Sequence, residues 1–166
     1  NRSLPDTRQQ YFPGDPRNSN SPLQNHWQGD AKTTDYGVFA SFGKPLGTTA
    51  ELYAFGGSTQ RDGTSAGFFR RPNDARTVRS LHPDGFLPLI TSDILDYSIA
   101  GGVRGSRNAW NYDLSVVHGY NRFGFGVENS NNVSLGNASP TTFDAGGFNF
   151  AQSSINFDVQ RSVSGV

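Results

Sequence analysis

The side chains that most often do chemistry are thinly spread here and poorly spaced for it. His26, His82 and His118 lie in different segments, and none has a second ligand at metal-binding spacing such as HExxH. Serine is common, yet no GxSxG elbow accompanies it. Asp96 and Asp113 would face the polar side of neighbouring strands, where any water-filled barrel carries carboxylates without using them for glycoside cleavage. The glycines of FGFG (123–126) and AGG (145–147) lack the strand-then-helix setting of a phosphate loop. Two glycosylation sequons, Asn132-Val133-Ser134 and Asn137-Ala138-Ser139, are short motifs, and Pro140 weakens the second. The expectation is no catalysis, no metal and no cofactor.

Binding chemistry is better represented. In FFRRPNDARTVRSLHPDGF (68–86), Arg70, Arg71, Arg76 and Arg79 offer forked donors for carboxylate or phosphate. Phe68, Phe69 and Phe86 could add apolar contact to a ligand. The same arginines can instead pair with Asp62, Asp74 and Asp84 to stiffen a long loop, and the near balance of charge favours that role. Tyr11, Phe12 and Trp27 pose the same choice, stacking on a ligand or packing against neighbouring loops.

The elements that must hold these residues are strands. In AWNYDLSVVHG (109–119), Trp110, Tyr112, Leu114, Val116 and His118 share one face, and Asn111, Asp113, Ser115, Val117 and Gly119 the other. A period of two marks a β-strand, because successive side chains leave opposite sides of the pleat. Tyr36, Val38, Ala40 and Phe42 alternate in the same way with Asp35, Gly37, Phe39 and Ser41. So do Tyr97, Ile99, Gly101 and Val103 with Asp96, Ser98, Ala100 and Gly102, and Ile155, Phe157 and Val159 with Asn156, Asp158 and Gln160. Strands are predicted over 33–43, 51–61, 95–104, 109–120 and 153–161. They form hairpins over 33–61 and 95–120, with a further strand beginning at 153. Long polar segments at 1–32, 62–94 and 121–152 read as loops.

Composition limits what such strands can build. Only 34% of the 166 residues are hydrophobic, while Gly numbers 20 and aromatics reach 13%, a thin supply for a soluble core. Net charge is zero, which gives no bulk attraction to nucleic acid. Cysteine is absent, excluding disulfides and thiolate sites. No apolar run approaches the roughly 20 residues of a membrane helix, so any passage through a bilayer core must use strands closed into a barrel. Short turns alternating with loops of about thirty residues, and apolar faces opposed to polar ones, are what outer-membrane barrels show. On that pattern Tyr36, Val38, Tyr97, Ile99, Trp110, Tyr112, Leu114, Val116, Ile155 and Phe157 are expected to face lipid, with Asn111, Asp113 and Ser115 toward the lumen. A secreted soluble β-sandwich binding carbohydrate through loop aromatics is the alternative, as is a structural subunit of a larger assembly.

The segment ELYAFGGSTQRDGTSAGFFRRPNDARTVRSLHPDGFLPLI resembles an extracellular loop with its flanking strand in TonB-dependent outer-membrane receptors. YFPGDPRN upstream and WNYDLSVVHGYNRFGFGVENSNNVSLGNASPTTFDAGGF downstream are similar to that family too. The resemblance implies an all-β fold, an antiparallel up-and-down section of a transmembrane β-barrel with long extracellular loops. In the family a barrel of about 22 strands surrounds an N-terminal plug. Such receptors of Gram-negative bacteria import siderophores, cobalamin or carbohydrate. The partners implied are the remainder of the barrel and plug, the TonB system acting through that plug, outer-membrane lipid and a small solute, with no nucleic acid. The chain departs from the pattern in having no recognisable plug, no TonB box and only about five strands. Unsatisfied strand edges cannot sit in hydrocarbon, so it is expected to be a fragment or to pair with strands from another chain.

Overall fold

Backbone pairing between long strands sets the architecture. The computed structural model describes residue 27 and residues 29–163. Tyr11, Phe12 and His26 lie outside the described residues. The protein is all-β, with strands β1 (Lys32–Leu46), β2 (Ala50–Ala66), β3 (Leu89–Arg107), β4 (Trp110–Glu128) and β5 (Phe143–Arg161). They form one antiparallel, up-and-down sheet in the order β1-β2-β3-β4-β5. The sheet is not closed: β1 and β5 are its two edges. A short 3-10 segment, Val133–Ala138, lies between β4 and β5.

The strands outrun their sequence pattern. The segment predicted as a loop over 62–94 is irregular only over 67–88, and that over 121–152 only over 129–142. Two physical reasons account for the difference. In NRFGFGVE the glycines resemble a turn, yet they sit within β4 and leave room for side chains of β3. A Cβ at Gly126 would lie 2.6 Å from Thr91 Oγ1, and one at Gly124 would lie 3.8 Å from Asp93 Cβ. In β5 the apolar alternation changes face: Phe148 and Phe150 stand on one side, Ile155 and Phe157 on the other. A pattern followed on a single face stops between them.

Both hairpin turns use the left-handed backbone region. Gly47 takes it between β1 and β2 (φ 71°), where glycine carries no Cβ penalty. Asn108 and Ala109 take it between β3 and β4 (φ 48° and 66°), the two-residue geometry whose twist matches paired strands. Asparagine tolerates this region, whereas alanine sits there under strain.

The chain divides into two compact units. One comprises Asn1–Thr34, Asp62–Asp93 and Gly124–Gly147, and the other Asp35–Arg61, Ile94–Phe123 and Phe148–Val166. In the first, a small core of Val78, Phe86, Leu87 and the fully buried Pro72 is built from the 67–88 loop. In the second, Ala100 is the only buried apolar residue among those described. Among the described residues of this unit, none forms a second layer over its strand portions.

Cross-strand neighbours fix the two faces of this second unit. On one face Ile99 lies beside Gly56, Tyr97 stacks on Tyr120 (centroids 5.1 Å), and the Arg161 guanidinium covers the Trp110 ring (5.4 Å). Tyr36, Val38, Leu114, Val116, Ile155 and Phe157 share that face by alternation, with exposures from 50% to 78%. Tyr112 is less exposed because its hydroxyl end lies over Gly105, 2.6 Å from where a Cβ would stand. The other face is described below.

Glycine placement is part of the fold. A Cβ on Gly102 would lie 2.6 Å from the Leu114 carbonyl oxygen and 2.8 Å from the Tyr53 hydroxyl. Replacing it should force strands apart, since the nearest obstacle is backbone. Gly102→Ala is expected to destabilise the protein by about 1–3 kcal/mol in equilibrium unfolding by urea.

Candidate functional site: the polar face of the sheet

The second face of the Asp35–Arg61, Ile94–Phe123, Phe148–Val166 unit carries most of its hydrogen-bonding groups. Tyr53 on β2 reaches across β3 and donates its hydroxyl to Asp113 Oδ1 on β4 (2.7 Å). It can do so because Gly102 of β3, the residue it crosses, has no side chain. Arg104 stands over the Tyr53 ring (5.1 Å) and donates its Nε to Glu51 Oε2 (2.9 Å), so three strands are tied together side chain to side chain. Asn111, Asp158 and Gln160 complete a concave polar region of about 710 Å³ beside the two turns.

Farther along the same face, Arg61 pairs with Asp35, and the Asn121 amide donates to Asp96 Oδ1 (2.6 Å). These pairs join β1 to β2 and β3 to β4. Between them and the Tyr53 network the character changes. Phe39 packs over Gly57 with its ring 3.2 Å from where a Cβ would be, and Phe55 stacks on Tyr53 (6.3 Å). On β5, Phe148 stacks on Phe123 of β4 (5.4 Å). Phe39, Phe148 and Phe150 are each more than 60% exposed, on a face otherwise rich in hydrogen-bonding groups.

The loop residues form a separate arrangement within the first unit. Arg76 makes a fork on Asp74, Nε to Oδ1 at 2.8 Å and Nη2 to Oδ2 at 2.7 Å, and its backbone N–H also donates to Oδ1 (2.9 Å). These three donors, with Arg70 adding a favourable charge, hold the Asp74 carboxyl well below the usual carboxylate range. The 67–88 and 129–142 segments are clamped by amides. Asn131 accepts from the Val78 N–H (3.0 Å) and donates to the Arg76 carbonyl (2.9 Å), while Asn129 donates to the Leu87 carbonyl (2.9 Å). His82 is buried, its ring tilted against that of Phe86 (centroids 4.3 Å, 32° between planes) and within 3.1 Å of the Ser130 carbonyl oxygen.

No family model, curated protein or solved structure matches this chain.

The sequence-derived binding residues are therefore separated by their surroundings. Phe86 is 5% exposed and holds the loop core, so its ring is not presented to a ligand. Arg76 is committed to Asp74, the pairing within the loop that its charge balance favoured. The backbone of Arg70 bridges that of Phe86, N–H to carbonyl in both directions (2.7 and 2.9 Å), which puts both residues in the loop scaffold. Arg71 and Arg79 are exposed on the loop surface, while Phe69 and Trp27 are half-buried. Among the described residues no group of His, Cys, Asp and Glu could hold a metal ion. The aromatic residues of the polar face were not singled out by sequence. A signal was present for one of them: Phe39 interrupts the alternating run Asp35, Gly37, Ser41 and Gly43, whereas Phe55 and Phe150 each follow another aromatic two residues earlier.

The Asp74 geometry gives a pH dependence. The folded carboxyl titrates below its unfolded value of about 3.9, so its contribution is fully present above that value and is lost as pH falls through the depressed one. Amide-exchange protection at Arg76 N–H should persist when pH is lowered to about 4. Asp74→Asn should remove much of that protection at neutral pH, since the amide cannot bind the guanidinium as a charged fork.

Proposed function

We propose that this chain forms wall strands and outer loops of a transmembrane β-barrel of the TonB-dependent receptor type, in a bacterial outer membrane. On this reading the apolar face meets lipid and the polar face borders the path of a small solute. The carrying observation is the apolar face of the second unit: its aromatic and aliphatic side chains are exposed, with no second layer over them among the described residues. Within that unit the strand portions run from 12 residues (35–46) to 14 (94–107). About 9–11 tilted residues suffice to cross a bilayer core. Trp110 and Tyr112 stand next to a two-residue turn, the place where interfacial aromatics anchor such barrels. The remaining strands, a plug and the TonB system that acts through it are the partners this reading requires. The chain takes no catalytic part.

A soluble carbohydrate-binding sandwich is less well supported, because a sandwich needs a second sheet and the described residues form one. Neighbouring positions on β5 separate the readings. Asn156 and Phe157 are both exposed and lie on opposite faces. In a barrel wall Phe157→Arg should cost about 2–4 kcal/mol near the bilayer midplane and less near an interface, while Asn156→Arg should be nearly neutral. Urea unfolding of the complete barrel that contains this chain, folded into lipid vesicles, measures both. Equal, small effects would remove the lipid assignment. Independently, brominated lipid should quench Trp110 in that barrel, read as the part of the quenching lost in Trp110→Phe.

A further inference from the structure

The aromatic residues on the polar face are out of place for a surface that only lines water. The cross-strand pairs described above set their positions. Gly57 lies beside Phe39, Gly37 beside Thr59, Gly56 beside Ile99, and Asp96 beside Asn121. Continuing this alternation puts Gly57, Ser98 and Gly119 in one row across β2, β3 and β4. The row forms the floor of a cavity of about 580 Å³. Phe39, Phe55 and Phe150 stand around it, and Thr59, Asn121 and Gln152 supply polar groups at its margin. Small residues on the floor keep it open, while the rings, 47% to 72% exposed, border it.

Charge narrows the occupant. The polar face of this unit carries five carboxylates (Asp35, Glu51, Asp96, Asp113 and Asp158) against two guanidiniums, Arg61 and Arg104. Both guanidiniums are already paired, to Asp35 and Glu51. An anionic solute would meet net like charge here, and no cation lines the aromatic cavity itself. What fits is an uncharged ring with one apolar face to lie on phenyl groups and hydroxyls around its edge to meet amide, hydroxyl and carboxylate groups. We propose that the cavity bounded by Phe39, Phe55 and Phe150 is a binding site for a neutral saccharide. The proposal rests on the barrel-wall reading for its meaning as a transport subsite, but the site itself lies wholly on this chain.

The test uses the complete barrel that contains this chain, folded into lipid vesicles, and a panel of neutral oligosaccharides: maltohexaose, cellohexaose and xylohexaose. Binding is measured by calorimetry up to about 10 mM sugar. At least one should bind, and Phe39→Ala and Phe150→Ala should each weaken it by about tenfold, a difference of about 1.4 kcal/mol. Phe157→Ala, on the opposite face, should leave binding unchanged, and a polysulfated form of the same sugar should bind at least about tenfold more weakly. Absence of binding across the panel would overturn the proposal, as would binding that ignores Phe39 and Phe150 or favours the sulfated sugar. Trp110 quenching in the same vesicles keeps the two readings apart. Quenching without sugar binding defeats the site and leaves the wall. Phenylalanine-dependent sugar binding without quenching supports the site and defeats the wall.

Discussion

The sheet of the second unit depends on strand pairing in a layer that none of that unit's described residues covers. An antiparallel sheet satisfies its interior backbone groups internally, but its side chains must find other company on both faces. Soluble sheets resolve this by burying one face, which concentrates large apolar residues inside. Here the described sheet residues of the second unit bury only Ala100, and the large apolar residues of one face remain exposed. Side-chain organisation therefore comes from contacts along each face. Those contacts are short-range: a ring over a glycine, a guanidinium over a ring, a hydroxyl reaching past an absent side chain.

Glycine is the complement to the long side chains in this scheme. Tyr53 reaches Asp113 because Gly102 leaves a gap, and Tyr112 and Phe39 lie over Gly105 and Gly57. In each case a bulky residue covers the backbone of a neighbouring strand that glycine leaves bare, recovering packing that glycine alone would forfeit. This explains how a chain with 20 glycines can sustain strands of up to 19 residues. The loops solve a different problem with different chemistry. Their backbone groups meet the side-chain amides of Asn129 and Asn131, and their small core closes on Pro72 and Phe86.

The sequence made strand identity and the two main faces legible. Alternation in 109–119 and 153–161 located parts of β4 and β5, and the polar face does carry Asn111, Asp113 and Asp158. Strand length was less legible. The glycines of 124–126 mimic a loop unless their cross-strand neighbours are known, and β5 exchanges its apolar residues between faces midway. Tyr53 and Phe55 stand two residues apart and so share a face, but only the positions of Asp113 and Arg104 reveal that this face is the polar one. The aromatic cavity was illegible for the same reason: it draws residues from four strands, and periodicity within one strand carries no information about register between strands. The arginine-rich loop was partly legible, because the Asp74–Arg76 fork is local in sequence while the burial of Phe86 is not.

The uncovered edges carry one more consequence, a matter of parity. In an up-and-down sheet neighbouring strands alternate in direction, so β1 and β5 run the same way. Joining these two edges to one another, or ringing copies of the sheet about an axis, would create parallel junctions. A wall that stays antiparallel all the way round must insert an odd number of further strands between β5 and β1. One strand is the smallest number that completes such a ring, and every larger solution adds strands in pairs.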